Sequence, residues 1–497
     1  TRLKPDTEIP LYRQLYEHLR LAILDGQLKT GTKLPSTRAL ADELGVSRNT
    51  ILNAYDQLAA EGYLERLEGK GTFVARWLPE TLLVPGEIAR RGEQNNSINR
   101  NRAHQVSERA SHLLAIRPMP TSPQPSGRGL GFAFEAGIPA LDAFPFELWA
   151  KLVSRHAHAL HPGAMIYQDP AGHRPLREAI ADYVIVARQV HCTPGQVIIV
   201  NGSQGALDLA ARVLLNPGDG AWMEDPGYPG ARSALVAAGA DIIPVPVDEE
   251  GLIVEVGIGR APQARLVYLT PSHQFPLGVT MSLKRRLAIL DWAKRTGAYV
   301  LEDDYDGEYR FDGRPLASLQ GLDDHESAIY IGTLSKVLFP ALRLGYVVVP
   351  TALVDAFLAM RGAVDVNPPY LEQVVLAEFI TEGHFTRHIR RMRMLYGERR
   401  EALLQAARVL PLDLYAPQTG MHLVGWLPPG IDDRAVAQAA ALQNINMLPV
   451  STLAREPLGR GGLVMGYAAV NQREIEEGVR RLGEVLRGEL PHRAAQF

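Results

Sequence analysis

A lysine beside two hydroxyls stands at Gly332-Thr333-Leu334-Ser335-Lys336, and an arginine follows seven residues later, at Arg343. That set suits an aldehyde carrying a phosphate. The lysine amine condenses with the aldehyde, Thr333 and Ser335 donate to phosphate oxygens, and the guanidinium fork of Arg343 pairs with the phosphate charge. A desolvated lysine near another cation loses its proton more readily and becomes a better nucleophile.

Three further stretches carry compatible chemistry. Asn201-Gly202-Ser203-Gln204-Gly205 follows an apolar run and opens a helical pattern. Free backbone N–H groups and the helix dipole would make a phosphate cup there, helped by Ser203 and Gln204. Leu301-Glu302-Asp303-Asp304-Tyr305 ends another apolar run with carboxylates and a phenol. A buried carboxylate keeps a pyridine nitrogen protonated, which makes the ring an electron sink; such a pair also suits a cap or a metal ion. Glu224-Asp225-Pro226-Gly227-Tyr228-Pro229 sets Tyr228 on a constrained turn, suited to stacking on a flat ring or to simple packing.

These groups need a scaffold, and the pattern from about residue 131 onward supplies one. Apolar runs of β type (197–200, 266–269, 299–301, 328–331) alternate with helical patterns (204–215, 282–296, 351–361). Such alternation predicts an α/β domain with a largely parallel sheet. A long basic helical region, 371–408, and a strand-containing end piece predict a smaller C-terminal subdomain.

The N-terminal part is built differently. Leu11, Leu15, Leu19, Ala22 and Ile23 recur at helical spacing over 10–25. Ser36 caps a second expected helix with Ala39, Leu40 and Leu44 inward, and Ser47 caps a third with Ile51, Tyr55, Leu58 and Ala59 inward. Tyr63–Leu67 and Thr72–Val74 then form a hairpin about Glu68-Gly69-Lys70-Gly71. Three helices and a two-stranded wing are the plan of a winged helix-turn-helix. Arg48, Asn49 and Thr50 occupy the first turn of the third helix, where a recognition helix meets base edges. Arg38 would hold a phosphate and Lys70 would reach the next groove from the wing tip. From Pro35-Ser36-Thr37-Arg38 to Thr72-Phe73-Val74 the sequence resembles the DNA-binding domain of the GntR family. Residues 77–130, rich in Pro, Ser, Asn and Arg, read as a linker, partly disordered or extended.

Taken in order, Tyr167, the Gly202 cup, Tyr228, His273-Gln274-Phe275-Pro276-Leu277-Gly278, the Asp303 block, Lys336 and Arg343 resemble the fold-type I, aspartate-aminotransferase-like domain that binds pyridoxal 5'-phosphate (PLP). With the GntR-like head, the chain resembles the MocR/GabR group of bacterial transcriptional regulators. The resemblance implies three segments: 1–76 DNA-binding, 77–130 linker, 131–497 PLP-binding effector and dimerisation domain. It makes Lys336 the Schiff-base lysine, sets Asp303 against the pyridine nitrogen and Tyr305 near the ring hydroxyl, and stacks Tyr228 on the ring. Ser203, Gln204, Thr333, Ser335 and Arg343 then hold the phosphate, and Tyr167 serves a partner subunit's site. No metal is expected.

Two positions depart from the aminotransferase pattern. Phe275 stands where an asparagine usually binds the ring hydroxyl, which passes that contact to His273, Gln274 or no side chain. Val464, in Leu463-Val464-Met465-Gly466-Tyr467, stands where an arginine often clamps the substrate carboxylate; either Arg455 or Arg460 takes over, or the ligand lacks a carboxylate there. The implied function is a PLP-dependent, DNA-binding regulator that senses an amine, an amino acid or PLP itself, acting as a homodimer on an operator with two half-sites. A working aminotransferase with an attached DNA-binding head is the alternative.

The whole chain is consistent with this plan. Its 497 residues exceed one ordinary domain, and its 46% hydrophobic and 22% charged composition is that of a globular protein. No 18-residue apolar run and no signal-peptide core appear, and a single cysteine, Cys192, fits a reducing interior, so a cytoplasmic location is expected. The net charge of −3 is unevenly spread: residues 1–76 carry 11 Lys/Arg against 10 Asp/Glu and residues 77–130 carry 7 against 4, which leaves −7 on the rest. Contact with DNA must come from a local basic face at the N-terminal end.

Overall fold

The computed structural model describes residues 9–67, 69–76, 78, 106–116, 133–311 and 317–489. Contacts divide the chain into two units, Thr1–Gln105 and Val106–Phe497. No described helix is long and apolar enough to cross a membrane.

The first unit holds helices Leu11–Leu24, Thr37–Leu44 and Arg48–Ala60, then the antiparallel strands Leu64–Leu67 and Gly71–Val74, paired from Leu64↔Val74 to Leu67↔Gly71. Both expected caps form: Ser36 Oγ accepts from Ala39 N at 3.2 Å and Ser47 Oγ from Thr50 N at 3.1 Å. Leu15, Tyr16, Ile23, Leu34, Ala41, Ile51, Ala54, Tyr55, Leu58, Tyr63, Leu64 and Val74 make one buried core. Ala39, expected inward, is exposed, and Ala41 is the buried residue of its helix. Leu40, Ala41 and Leu44 share the inner face, and Ala39 falls on the other side of that short helix.

Residues 106–116 depart from the extended reading of the linker. Glu108–Ala115 is a helix, capped by Ser107 Oγ accepting from Ala110 N at 3.2 Å, and it packs on the helix Pro229–Ala238 of the second unit. Its eight residues carry Leu113 and Leu114 among charges, a signal too short to separate from the polar stretches around it. The rest of 77–130 lies outside the described residues, apart from Leu78.

The second unit is built on an eight-stranded sheet. Its strands run, edge to edge, Val197–Val200, Gly345–Val348, Ala328–Thr333, Tyr299–Asp304, Leu266–Leu269, Gly220–Asp225, Asp241–Asp248 and Gly251–Leu252. The five strands from Ala328–Thr333 to Asp241–Asp248 are parallel, while Gly345–Val348 runs antiparallel to both its neighbours. Val197–Val200, Leu266–Leu269 and Ala328–Thr333 are buried at every position, as a sheet covered by helices on both faces requires. The basic region 371–408 is two helices, Tyr370–Thr381 and His384–Ala406. A four-stranded antiparallel sheet (Asp413–Tyr415, His422–Trp426, Gly462–Gly466, Leu448–Pro449) follows, with the helix Gln472–Glu489 closing its core.

Candidate functional site

Strand ends deliver the site. Asp303 and Asp304 are the last residues of the strand Tyr299–Asp304, and successive side chains there point to opposite faces. Asp304 turns to Arg188 in a buried ion pair and accepts from Tyr330 Oη at 2.6 Å. Asp303 turns to the pocket that Lys336, Ser203, Tyr228 and Tyr305 also line. The two adjacent carboxylates therefore have separate jobs.

Asp303 Oδ2 accepts from Tyr268 Oη at 3.0 Å, from the neighbouring strand, while its Oδ1 is buried without a partner among the described residues. Burial pushes the Asp303 carboxyl up to about 7, against the pull of the Tyr268 hydrogen bond and of Lys336. Such an oxygen wants a donor, and a positively charged one most of all.

Lys336 follows the strand Ala328–Thr333, and its Nζ donates to Gly137 O at 2.8 Å. Burial lowers its pKa, with Arg343 acting in the same direction and Asp306 and Asp303 opposing. Gly137 stands at φ 81°, a conformation that favours glycine, and a Cβ there would lie 2.7 Å from Nζ. A desolvated amine with a depressed pKa is a nucleophile in waiting.

The anion end of the pocket gathers at Gly202. This residue, at φ 72°, starts the helix Gly202–Leu214 that Ser203 and Gln204 continue. A Cβ at Gly202 would lie 3.5 Å from Arg343 Nη1, so backbone and guanidinium are close neighbours. Arg343 is itself exposed, and its Nη2 donates to Asn201 O at 3.3 Å. Thr333 and Ser335 are buried; Thr333 Oγ1 accepts from Ser335 N at 3.2 Å, which leaves the Thr333 hydroxyl proton free. Gln204 is turned away, its Nε2 donating to Gly230 O at 2.9 Å. Tyr167 stands apart at 85% exposed.

Tyr305 and its surroundings include groups that the spacing of motifs did not single out. His273 Nδ1 lies 2.9 Å from Asp306 Oδ2 and 3.0 Å from Tyr305 Oη. An Nδ1–H shared between that carboxylate and the phenol oxygen leaves the Tyr305 proton free to donate into the pocket. Gln274 is consumed locally, donating to Pro226 O and Phe275 O and accepting from Leu277 N. Of the alternatives that Phe275 opens, His273 is thus the one beside the phenol. Tyr268 and Asp306 gave no sequence signal, because contacts between neighbouring strands and loops are set only by the fold.

Val464 lies in the strand Gly462–Gly466, in an apolar cluster with Phe275, Val424, Leu448, Val450 and Leu453. Neither candidate arginine lines the lysine pocket. Arg455 Nη1 donates to Ile242 O at 3.2 Å, and Arg460 pairs with Asp413 and lies over the Trp426 ring.

In the winged head, Arg38, Arg48, Asn49 and Lys70 are exposed and Thr50 is half-buried. Arg48 Nε reaches Thr37 Oγ1 at 3.4 Å, so the first turns of the second and third helices share one edge. Thr50 Oγ1 lies 2.9 Å from Ser47 Oγ, inside the cap rather than free.

Fold and site together define a winged helix-turn-helix head joined to a fold-type I aminotransferase domain. Residues 11–74 match the bacterial regulatory proteins of the gntR family and residues 133–482 match aminotransferase class I and II. The chain is 41% identical to the probable rhizopine catabolism regulatory protein MocR of Rhizobium meliloti, over 97% of this chain and 94% of that one. It is 33% identical to the HTH-type transcriptional regulator TauR of Rhodobacter capsulatus, over 98% of each chain. Among solved structures, the α-aminoadipate aminotransferase LysN of Thermus thermophilus, complexed with N-(5'-phosphopyridoxyl)-L-leucine, matches at 30% identity and a TM-score of 0.66, over 77% of this chain and 95% of that one. The protein belongs to the MocR-type HTH transcriptional regulators of the GntR family.

Proposed function

We propose that this regulator binds PLP through Lys336 and uses the aminotransferase-like domain to sense an amine, an amino acid or PLP itself. The observation that carries the reading is the unpartnered Oδ1 of Asp303 in the pocket that also holds a lysine of depressed pKa. The residues fit the group: Asp303 lacks the cationic donor that a protonated ring nitrogen provides, and Ser203, Thr333 and Arg343 offer donors for a phosphate. PLP, when bound, supplies an aldehyde for the lysine and an electron-withdrawing ring. Asp303 then keeps the ring nitrogen protonated, Tyr305 donates to the ring hydroxyl with His273 and Asp306 behind it, and Tyr228 covers one face. Ser203, Gln204, Thr333, Ser335 and Arg343 form the phosphate set, with Gln204 turning from Gly230 to join it. Tyr167, exposed in the single chain, serves the partner subunit in a homodimer. Arg38, Arg48, Asn49, Thr50 and Lys70 contact operator DNA, and differential affinity of the effector for two states of the dimer is what makes the switch.

The lysine, aspartate and tyrosine set also supports turnover, and the apolar cluster about Val464 opposes it for an ordinary α-amino acid, because neither Arg455 nor Arg460 lines the lysine pocket to clamp the carboxylate. A visible absorption spectrum of the purified protein, titrated with amines and amino acids, separates the readings. The sensor gives a yellow band that one compound shifts and holds. Conversion to the pyridoxamine form, with turnover on a keto acid, would favour the enzyme. No band after PLP is added, or an unchanged band in Lys336→Ala, would sink the PLP assignment.

A further inference from the structure

A second cavity, of about 1230 Å3, lies between the helix Glu108–Ala115 and the helix Pro229–Ala238, and shares no lining residue with the lysine pocket. Arg109, Arg232, Arg434 and Arg455 all line it. None of the four is in an ion pair among the described residues. Their guanidinium bonds go to neutral oxygens: Arg232 Nη2 to Leu453 O at 2.9 Å, Arg455 Nη1 to Ile242 O at 3.2 Å, and Arg434 Nε to Ser451 Oγ at 3.1 Å. Arg232 Nε is buried and has no partner at all among those residues.

The nearby carboxylates Asp225, Glu108 and Asp241 offset this positive charge only in part. Asp225 spends its oxygens on the backbone N–H groups of Arg455 and Glu456, Asp433 on Ser451 and Gly462, and Glu456 pairs with Arg260. Of the acids lining the cavity, Glu108 and Asp241, both are exposed. Arginines that line one cavity and outnumber its carboxylates, one of them with a buried idle donor, leave an unmet demand for an anion. Burial and the Arg455 charge lower the Arg232 pKa, and Asp225 opposes them. Val236, Ile242, Leu448 and Leu453 give the cavity an apolar side as well.

The geometry points to a second ligand site, for a small organic phosphate whose dianion sits among Arg109, Arg232, Arg434 and Arg455 and whose apolar part lies against Val236 and Leu453. A doubly charged, tetrahedral group offers oxygens to several forks at once, where a single carboxylate satisfies one. One wall of the cavity is Glu108–Ala115, which lies between the GntR-like head and the aminotransferase-like domain in the sequence. The opposite wall carries Arg232, whose N–H donates to Tyr228 O at 3.3 Å. Occupancy would tie the segment leading to the head to the helix that begins beside the lysine pocket.

The test is isothermal titration of the full chain with phenyl phosphate, against sodium chloride matched in ionic strength. With the lysine pocket loaded with PLP and the excess removed, saturable binding of one equivalent per chain is expected, with the same affinity in Lys151→Ala, an exposed change that lines neither cavity. Arg232→Gln/Arg455→Gln should bind at least tenfold more weakly. Arg109→Gln, an exposed change that leaves the fold intact, should weaken binding about threefold. Equal affinity in all the arginine variants, an equal loss in Lys151→Ala, or the same heat from chloride would overturn the proposal. Displacement by a non-operator DNA duplex would also overturn it, by making the arginines a contact for nucleic-acid backbone.

Discussion

Asp303 is the residue whose burial gives the fold its clearest dependence on pH. Its carboxyl, pushed up to about 7 by burial, holds a proton in the folded chain at pH values where the unfolded chain has released it. The folded state therefore binds more protons between about pH 4 and 7, and stability falls as pH rises through that window. Asparagine cannot ionise, so cofactor-free Asp303→Asn should be more stable than the parent by about 1–3 kcal/mol at pH 8 and little changed at pH 4. Urea unfolding of both proteins at the two pH values checks this; equal differences at pH 4 and 8 would show that Asp303 is not the titrating group. Glu224, Glu302 and Glu308, each also raised to about 7 by burial, keep a residual slope in both proteins. The same variant should bind PLP more weakly, since the ring nitrogen loses its anionic partner. At this scale chain order singled out Lys336, Asp303 and Ser203 as candidates, and the fold brings the three to one pocket. It was silent on Tyr268 and on the His273–Asp306 pair, which meet only after strands and loops are assembled.

At the scale of elements, the recognition helix shows how a cap serves function. Ser47 accepts from Thr50 N and also touches the Thr50 hydroxyl, so one side chain fixes the turn that presents Arg48 and Asn49. Ser47→Ala should cost about 1 kcal/mol of head stability and loosen that turn, measured by thermal unfolding. Arg48→Ala should leave stability alone and weaken operator binding by roughly 1–3 kcal/mol if the guanidinium reads a base edge. Unaltered affinity in a fluorescence-anisotropy titration would return Arg48 to ordinary surface charge. Elements with strong periodicity were legible: the three helices of the head, the hairpin, and the apolar runs of the large sheet. Three features were not. Gly345–Val348 is an apolar run like its neighbours, and nothing in such a run distinguishes an antiparallel insertion from a parallel strand. Residues 371–408 read as one basic region because helical periodicity continues on both sides of the break at Gly383. Glu108–Ala115 is helical through its Ser107 cap and its packing on Pro229–Ala238, a tertiary partner that the local sequence does not announce.

For the whole molecule, the decisive quantity is how charge and core are shared between the two units. The head buries its own core of a dozen residues about Ile51 and Tyr55, and most of its exposed basic candidates lie at the start of two helices and the wing tip. The segment 77–130 adds a further three positive charges, whereas the remainder of the chain carries −7 and would repel phosphate. A fragment of residues 9–76 should therefore fold, retain the salt dependence that phosphate contacts impose, and bind operator DNA more weakly than the full chain. The loss follows from linkage: in the proposed homodimer, the first head to bind holds the second at a high local concentration, which commonly raises affinity by 10²–10⁴-fold without any new contact. Titration of the same duplex with fragment and full chain over a range of salt measures both effects at once. Parallel salt slopes per head with a large gap in affinity would assign recognition to the head and avidity to the aminotransferase-like domain. Equal affinities would mean that dimerisation adds nothing to operator binding, and that any effector signal must reach DNA through a change inside a single head.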